Sequence, residues 1–147
     1  MLATAQDTAA KWLAGTDRSL HLQKDDGWIV LPWQRIERAS WDDDTATLTV
    51  YAVTDFGLRQ PCHECTFTEP GRFLDLLHDR VNSSVLLTRH VPLEGSRGLR
   101  VVARRPPVGD GPIEWSCVLD EALDPADPRV VAAVDEGLAK ARAELGA

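Results

Sequence analysis

Ile36-Glu37-Arg38-Ala39-Ser40-Trp41, the run Asp42-Asp43-Asp44, and Thr45-Ala46-Thr47-Leu48-Thr49-Val50-Tyr51-Ala52-Val53 together decide the fold class. In the last run Ala46, Leu48, Val50 and Ala52 fall on one side, and Thr45, Thr47, Thr49 and Tyr51 on the other. That period of two is the pattern of a half-buried antiparallel strand. The three aspartates read as a solvated turn. Consecutive carboxylates in a hairpin do not converge on one cation, whereas calcium loops alternate their ligands. The strand before the turn, Gln34 to Trp41, has a fault. Ile36 has even parity, while Trp33, Ala39 and Trp41 are odd. One extra residue near Glu37-Arg38 flips the facing, so a bulge there reconciles the pattern.

The neighbouring segments extend the antiparallel reading. Lys11 to Ala14 and Ser19 to Gln23 read as short strands around the Gly15-Thr16-Asp17-Arg18 turn. Trp28 to Leu31 reads as another, which Pro32 bends or sets at an edge, because proline cannot donate to a ladder. Cys62 to Thr68 reads as a strand. Pro70 then opens a helix capped by Thr68 or Glu69, with Phe73, Leu74, Leu77 and Val81 on one face and Asn82-Ser83-Ser84 at its end. Val85 to Val91 is a strand. The alternating runs around Leu99 to Arg104 and Ile113 to Leu119 form a hairpin, and symmetric pairing about the 106–112 loop sets Arg104 opposite Glu114. Asp127 caps a last helix with Pro128 at its first position, a stripe of Val131, Val134, Leu138, Ala141 and Leu145, and Gly146 as the stop.

The fold class expected is therefore α+β: a curved, mostly antiparallel sheet, a mid-chain helix, a further β-hairpin and a long C-terminal helix. At 147 residues, 44% of them hydrophobic, the chain has the size and composition of one globular domain. No apolar run approaches the roughly 20 residues of a membrane-spanning helix. The first residues lack the basic and apolar regions of a signal peptide. Together with three cysteines, Cys62, Cys65 and Cys117, this predicts a cytoplasmic chain with free thiols. The net charge of −7 argues against coating nucleic acid. It is a sum of unlike parts: −5 over residues 1–88, +4 over 89–105 and −6 over 110–147.

Thr16-Asp17-Arg18-Ser19-Leu20, followed by Ile29-Val30-Leu31-Pro32-Trp33-Gln34-Arg35-Ile36-Glu37-Arg38-Ala39, resembles bacterial PH-like domains. Those domains share a threonine–acidic–x–x–leucine strand start and, about ten residues later, an apolar–proline–apolar–x–x–isoleucine strand. The resemblance spans residues 11–82 and implies a curved antiparallel sheet capped by the helix from Pro70 to Val81. It implies a binding scaffold and carries no catalytic residues. Residues 85–147 depart from the pattern. Arg89-His90-Val91-Pro92-Leu93 and Asp124-Pro125-Ala126-Asp127-Pro128 are similar to segments of small proteins of high-GC bacteria, a likeness that implies no function.

The candidate sites are few. Arg89, Arg97, Arg100, Arg104 and Arg105 make a cluster suited to an anion, since guanidinium forks match phosphate geometry. Pairing with the acidic 110–147 part competes and is favoured. Cys62-His63-Glu64-Cys65 offers a weak metal grip from Cys62, His63 and Cys65. A structural zinc site needs four ligands, no second Cys/His pair exists, and odd spacing on a strand sends the two thiols to opposite faces. No metal or other cofactor is expected. Neither a G-x-S-x-G elbow nor a phosphate-binding glycine loop is present. Among five tryptophans, Trp41 and Trp115 read as core, whereas Trp28 and Trp33, flanking the Leu31-Pro32 bend, read as partly exposed contacts. The function expected is a non-enzymatic binding or interaction module, PH-like in its front half, whose partner is a protein or a second copy of the chain. The alternative is a small-molecule binder or weak enzyme with a tryptophan-lined pocket between sheet and C-terminal helix.

Overall fold

The computed structural model describes residues 2–67, 69–109 and 111–146. Among them the chain is α+β, with ten antiparallel strands in three sheets and two α-helices. It divides into two compact units. The first comprises Met1–Val53, Gln60–Ser84 and Pro106–Pro112; the second comprises Thr54–Arg59, Val85–Arg105 and Ile113–Ala147. Each unit has its own buried apolar cluster.

In the first unit, β1 (Ala3–Gln6), β2 (Trp12–Gly15), β3 (Ser19–Lys24) and β4 (Gly27–Pro32) form a four-stranded sheet in chain order. A 3-10 turn, Trp33–Arg35, leads to a second sheet of β5 (Ile36–Asp42), β6 (Thr47–Ala52) and β7 (Cys62–Thr66). The β5–β6 register shifts between Ile36 and Arg38, the bulge that the parity fault requires. Helix α1 (Arg72–Ser83) brings Phe73, Leu77 and Val81 into a cluster with Leu13, Leu20, Leu22, Trp33, Ile36, Leu48, Val50, Cys65 and Phe67. Burying each such side chain contributes about 1.5–3 kcal/mol.

Three local expectations change. Strand β1 was not anticipated, because Ala-Thr-Ala-Gln has neither bulk nor a clear apolar period. Strand β5 begins at Ile36 rather than Gln34, since the chain turns first. Helix α1 is capped by Gly71, at φ 49°, and starts at Arg72 instead of Pro70. Glu69 is thus no cap, and Thr68 lies outside the described residues. Pro70 still marks the entry, as its carbonyl accepts the Phe73 N–H at 3.0 Å.

In the second unit, β8 (Val85–Glu94), β9 (Arg97–Arg104) and β10 (Glu114–Leu119) form a meander with β9 central. The β9–β10 register sets Glu114 opposite Arg104, as symmetric pairing requires. Asp120 closes the other end of this pair: its carboxylate accepts the Gly98 N–H at 2.7 Å, and its own N–H donates to the Gly98 carbonyl at 3.0 Å. Helix α2 (Pro128–Leu145) begins with Asp127 accepting the Arg129 N–H at 2.9 Å and ends at Gly146 in the left-handed conformation. Its Val130, Val134 and Ala141 pack with Leu99 and Val101. Gly137 lies at this seam, where a Cβ would stand 3.1 Å from a Val101 methyl. A mid-helix glycine costs about 1 kcal/mol in propensity and here permits the close helix–sheet approach.

Candidate functional site

The outer face of the four-stranded sheet is the first candidate. Leu13, Leu20 and Leu22 point inward and are at most 1% exposed. By alternation their neighbours point outward. Across the sheet these form one row of Gln6, Trp12, Gln23 and Trp28, and a second of Thr4, Ala14, His21 and Val30. The Trp12 backbone N–H donates to the Gln23 side-chain oxygen at 3.0 Å, and Gln23 pairs in register with Trp28. Trp12 is 46% exposed, Trp28 52% and Val30 50%. Together they present an apolar area on the order of 300 Å², the size at which a surface patch on a monomer is often functional. An ion pair, Lys11 to Asp25 at 2.7 Å, stands at the end of the sheet where the β3–β4 turn lies. The Lys11 ammonium holds the Asp25 carboxyl below the usual carboxylate range, by its hydrogen bond and then its charge.

Trp28 is exposed, as the sequence suggests, but Trp33 is not: it is 0% exposed. It keeps the inward parity of Ile29 and Leu31, and within the 3-10 turn its Nε1–H donates to the Thr16 carbonyl at 2.8 Å. Sequence reading missed Trp12 and Val30. The available signal was β4 itself, where Ile29 and Leu31 alternate with Trp28, Val30 and Pro32, so both faces are apolar. Trp41 is partly buried against Phe67, with ring centroids 5.2 Å apart. Trp115 is partly buried under the Arg142 guanidinium, which stands 5.6 Å above its ring. Trp115 is the one tryptophan in the unit that contains α2, so within that unit no group of tryptophans lines the helix.

The five arginines do not share a surface. Arg89 pairs in register with Val101, on the α2 face of the second unit's sheet, and binds Glu144 of that helix at 2.8 Å. Arg100 and Arg104 alternate onto the opposite face. Arg100 is exposed, whereas Arg104 is only 3% exposed and donates to the Ser116 hydroxyl at 2.8 Å. Arg97 starts β9, about 23 Å along the strand from Arg104. Arg105 follows the strand and is exposed. Arg89 thus finds its counter-charge in the acidic C-terminal part. Both partners are half-exposed, which limits such a pair to about 0–1 kcal/mol.

On β7, Cys62 and Glu64 point outward while His63 and Cys65 face Val50 and Leu48. The two thiols therefore diverge, and among the described residues no three His, Cys, Asp or Glu side chains are placed to hold a metal ion. Burial pushes the Cys65 and Cys117 thiols up and the His63 imidazole down, since each is kept from its charged form. In native protein at pH 8 the exposed Cys62 is expected to react rapidly with a disulfide reagent, the partly buried Cys117 more slowly, and the buried Cys65 only on unfolding. Mass spectrometry of the labelled peptides checks this, and rapid labelling of Cys65 would contradict the burial. No helix among the described residues is long and apolar enough to cross a membrane. No family model, curated protein or solved structure matches the chain.

Proposed function

We propose that the protein is a non-enzymatic interaction module, PH-like over its first unit, that recognises a partner protein through the outer face of the four-stranded sheet. The observation that carries this reading is the exposed Trp12–Gln23–Trp28 row with Val30 beside it. Large rings held on a rigid sheet lose little conformational entropy on binding. Tryptophan is enriched among the few residues that dominate interface energies. The PH-like assignment draws support from the element order of the first unit: four antiparallel strands, three more in a second sheet, then a helix packed into their core.

The test is affinity capture from cells of the native source with the wild-type chain and with Trp12→Ser/Trp28→Ser. A partner held by the wild type should bind the double variant about 30-fold more weakly or less, in line with the loss of one interface anchor. Circular dichroism should be unchanged, because both rings leave the core intact. Equal retention by the two proteins overturns the reading, as does a wild type that retains nothing.

A further inference from the structure

The edge strand of the same sheet carries a more specific assignment. Strand β4 reads Gly27-Trp28-Ile29-Val30-Leu31-Pro32, six residues without a charge. It pairs with β3 on one side, and among the described residues with nothing on the other. Ile29 and Leu31 face inward, yet neither reaches the burial of Leu13, Leu20 and Leu22 on the inner strands. The outer face of this edge is open and apolar, and its inner side chains, packed against the core, stay only partly buried. Most edge strands are blunted against pairing by charge, by brevity, by a bulge or by proline, and β4 has only the last, at its end residue Pro32.

The register shows which backbone groups the edge offers. Ser19 pairs with Pro32, and one step on the Trp33 N–H donates to the Arg18 carbonyl at 3.2 Å. Hydrogen-bonded pairs alternate in an antiparallel ladder. Leu31, Ile29 and Gly27 therefore direct their N–H and C=O toward β3, and Trp28, Val30 and Pro32 direct theirs outward. The outward set has two N–H groups, of Trp28 and Val30, and three carbonyls. Pro32 has no N–H to leave unsatisfied, which is where a proline is tolerated in a sheet.

We infer that β4 is a self-association edge whose occupant is the β4 strand of a second copy, paired antiparallel about a two-fold axis normal to the sheet. With Val30 on the axis, the two Val30 residues exchange both hydrogen bonds, and each Trp28 N–H meets the partner's Pro32 carbonyl. Every outward N–H is then used, and proline is asked only to accept. The faces are preserved. Trp28 lies beside the partner's Pro32 on the outer side, and Ile29 beside the partner's Leu31 on the inner side, in the closer, non-hydrogen-bonded pairing. A slip by one residue would set outer against inner side chains. Charge agrees with this direction: antiparallel pairing carries the exposed Asp26 of one copy, next to the Asp25 that Lys11 already binds, toward the end of the other where the exposed Arg35 stands. The Trp12–Trp28–Val30 patch alone is well short of the roughly 800 Å² that each side of a stable interface buries. Strand pairing adds backbone and inner-face area, and it joins two four-stranded sheets into one of eight.

This inference deepens the proposed reading by naming what occupies one edge of the same sheet, and it leaves Trp12 outside the seam. The test is the mass in solution of the full chain by light scattering across a concentration series, with Val30→Pro and Val30→Lys. The wild type is expected to approach twice 16.2 kDa and both variants to stay at 16.2 kDa. Val30→Pro is compatible with the fold because the lost N–H faces outward; if it does not fold, Val30→Lys decides. In a Cys62→Ser background, Val30→Cys should oxidise to a disulfide-linked dimer. A wild type that stays monomeric, or a dimer that survives both variants, overturns the inference. A monomer that still loses its captured partner on Trp12→Ser/Trp28→Ser overturns only the dimer. A Val30-dependent dimer that captures nothing overturns only the partner-binding reading.

Discussion

Trp33→Ala is expected to lower the free energy of unfolding by about 4 kcal/mol, within the range found when large buried rings are truncated. Trp33 is fully buried among Leu13, Leu20, Ile36 and Leu77 in the first unit. Its ring is also packed against Gly15, where a Cβ would stand 3.6 Å from Cζ2. The substitution removes more than volume, because the indole N–H satisfies the Thr16 carbonyl across 17 residues of chain. Thr16 organises the turn before β3: its N–H donates to the Ser19 carbonyl at 2.9 Å, and its hydroxyl accepts the Ser19 N–H at 3.0 Å. Trp33→Phe separates the two contributions. It keeps most of the ring and leaves the Thr16 carbonyl unpartnered, so it should cost about 1–3 kcal/mol and less than the alanine variant. Urea unfolding followed by circular dichroism measures both. An alanine variant that costs under about 1 kcal/mol would mean that the ring is not held in the core.

That hydrogen bond also explains why part of the fold is legible in the sequence. The segments Thr16 to Leu20 and Ile29 to Ala39 meet physically where Trp33 reaches Thr16. The β5 bulge is legible because a side-chain period of two admits no other cure for a parity fault. The ends of α2 are legible because capping is local: Asp127, Pro128 and Gly146 act within one turn of their own positions. What is not legible depends on where a chain turns next. Trp33 shares the odd parity of the inward Ile29 and Leu31, so alternation along β4 already points to its burial, and its place beside Pro32 obscures that signal. Trp12 stands in a strand too short to show a period, so its outward facing emerges only when β3 and β4 are laid beside it. The separation of the arginines is not legible for a simpler reason. Proximity along a strand is not proximity in space, and alternation sends Arg89 and Arg104 to opposite faces of one sheet.

Arg104→Ala is expected to destabilise the second unit by about 3 kcal/mol. From sequence alone, Arg104 opposite Glu114 is an ordinary cross-strand pair, which contributes about 0.2–1 kcal/mol. Burial changes the magnitude. Arg104 lies on the central strand with Val85 on one side and Glu114 on the other, and only 3% of it is exposed. A guanidinium so placed is stabilised by what surrounds it, and Nη1 donates to the Ser116 hydroxyl at 2.8 Å. Removing one member of a buried pair strands the other, which costs about 3–5 kcal/mol. Glu114 is only partly buried, so the lower end applies. Replacing both charges relieves the stranding: Arg104→Met with Glu114→Gln should recover at least about 1 kcal/mol relative to Arg104→Met alone. A double-mutant cycle by urea unfolding measures that coupling. If the two single variants simply add, Glu114 interacts with water rather than with Arg104, and the cost of Arg104→Ala belongs to lost packing and the Ser116 contact instead.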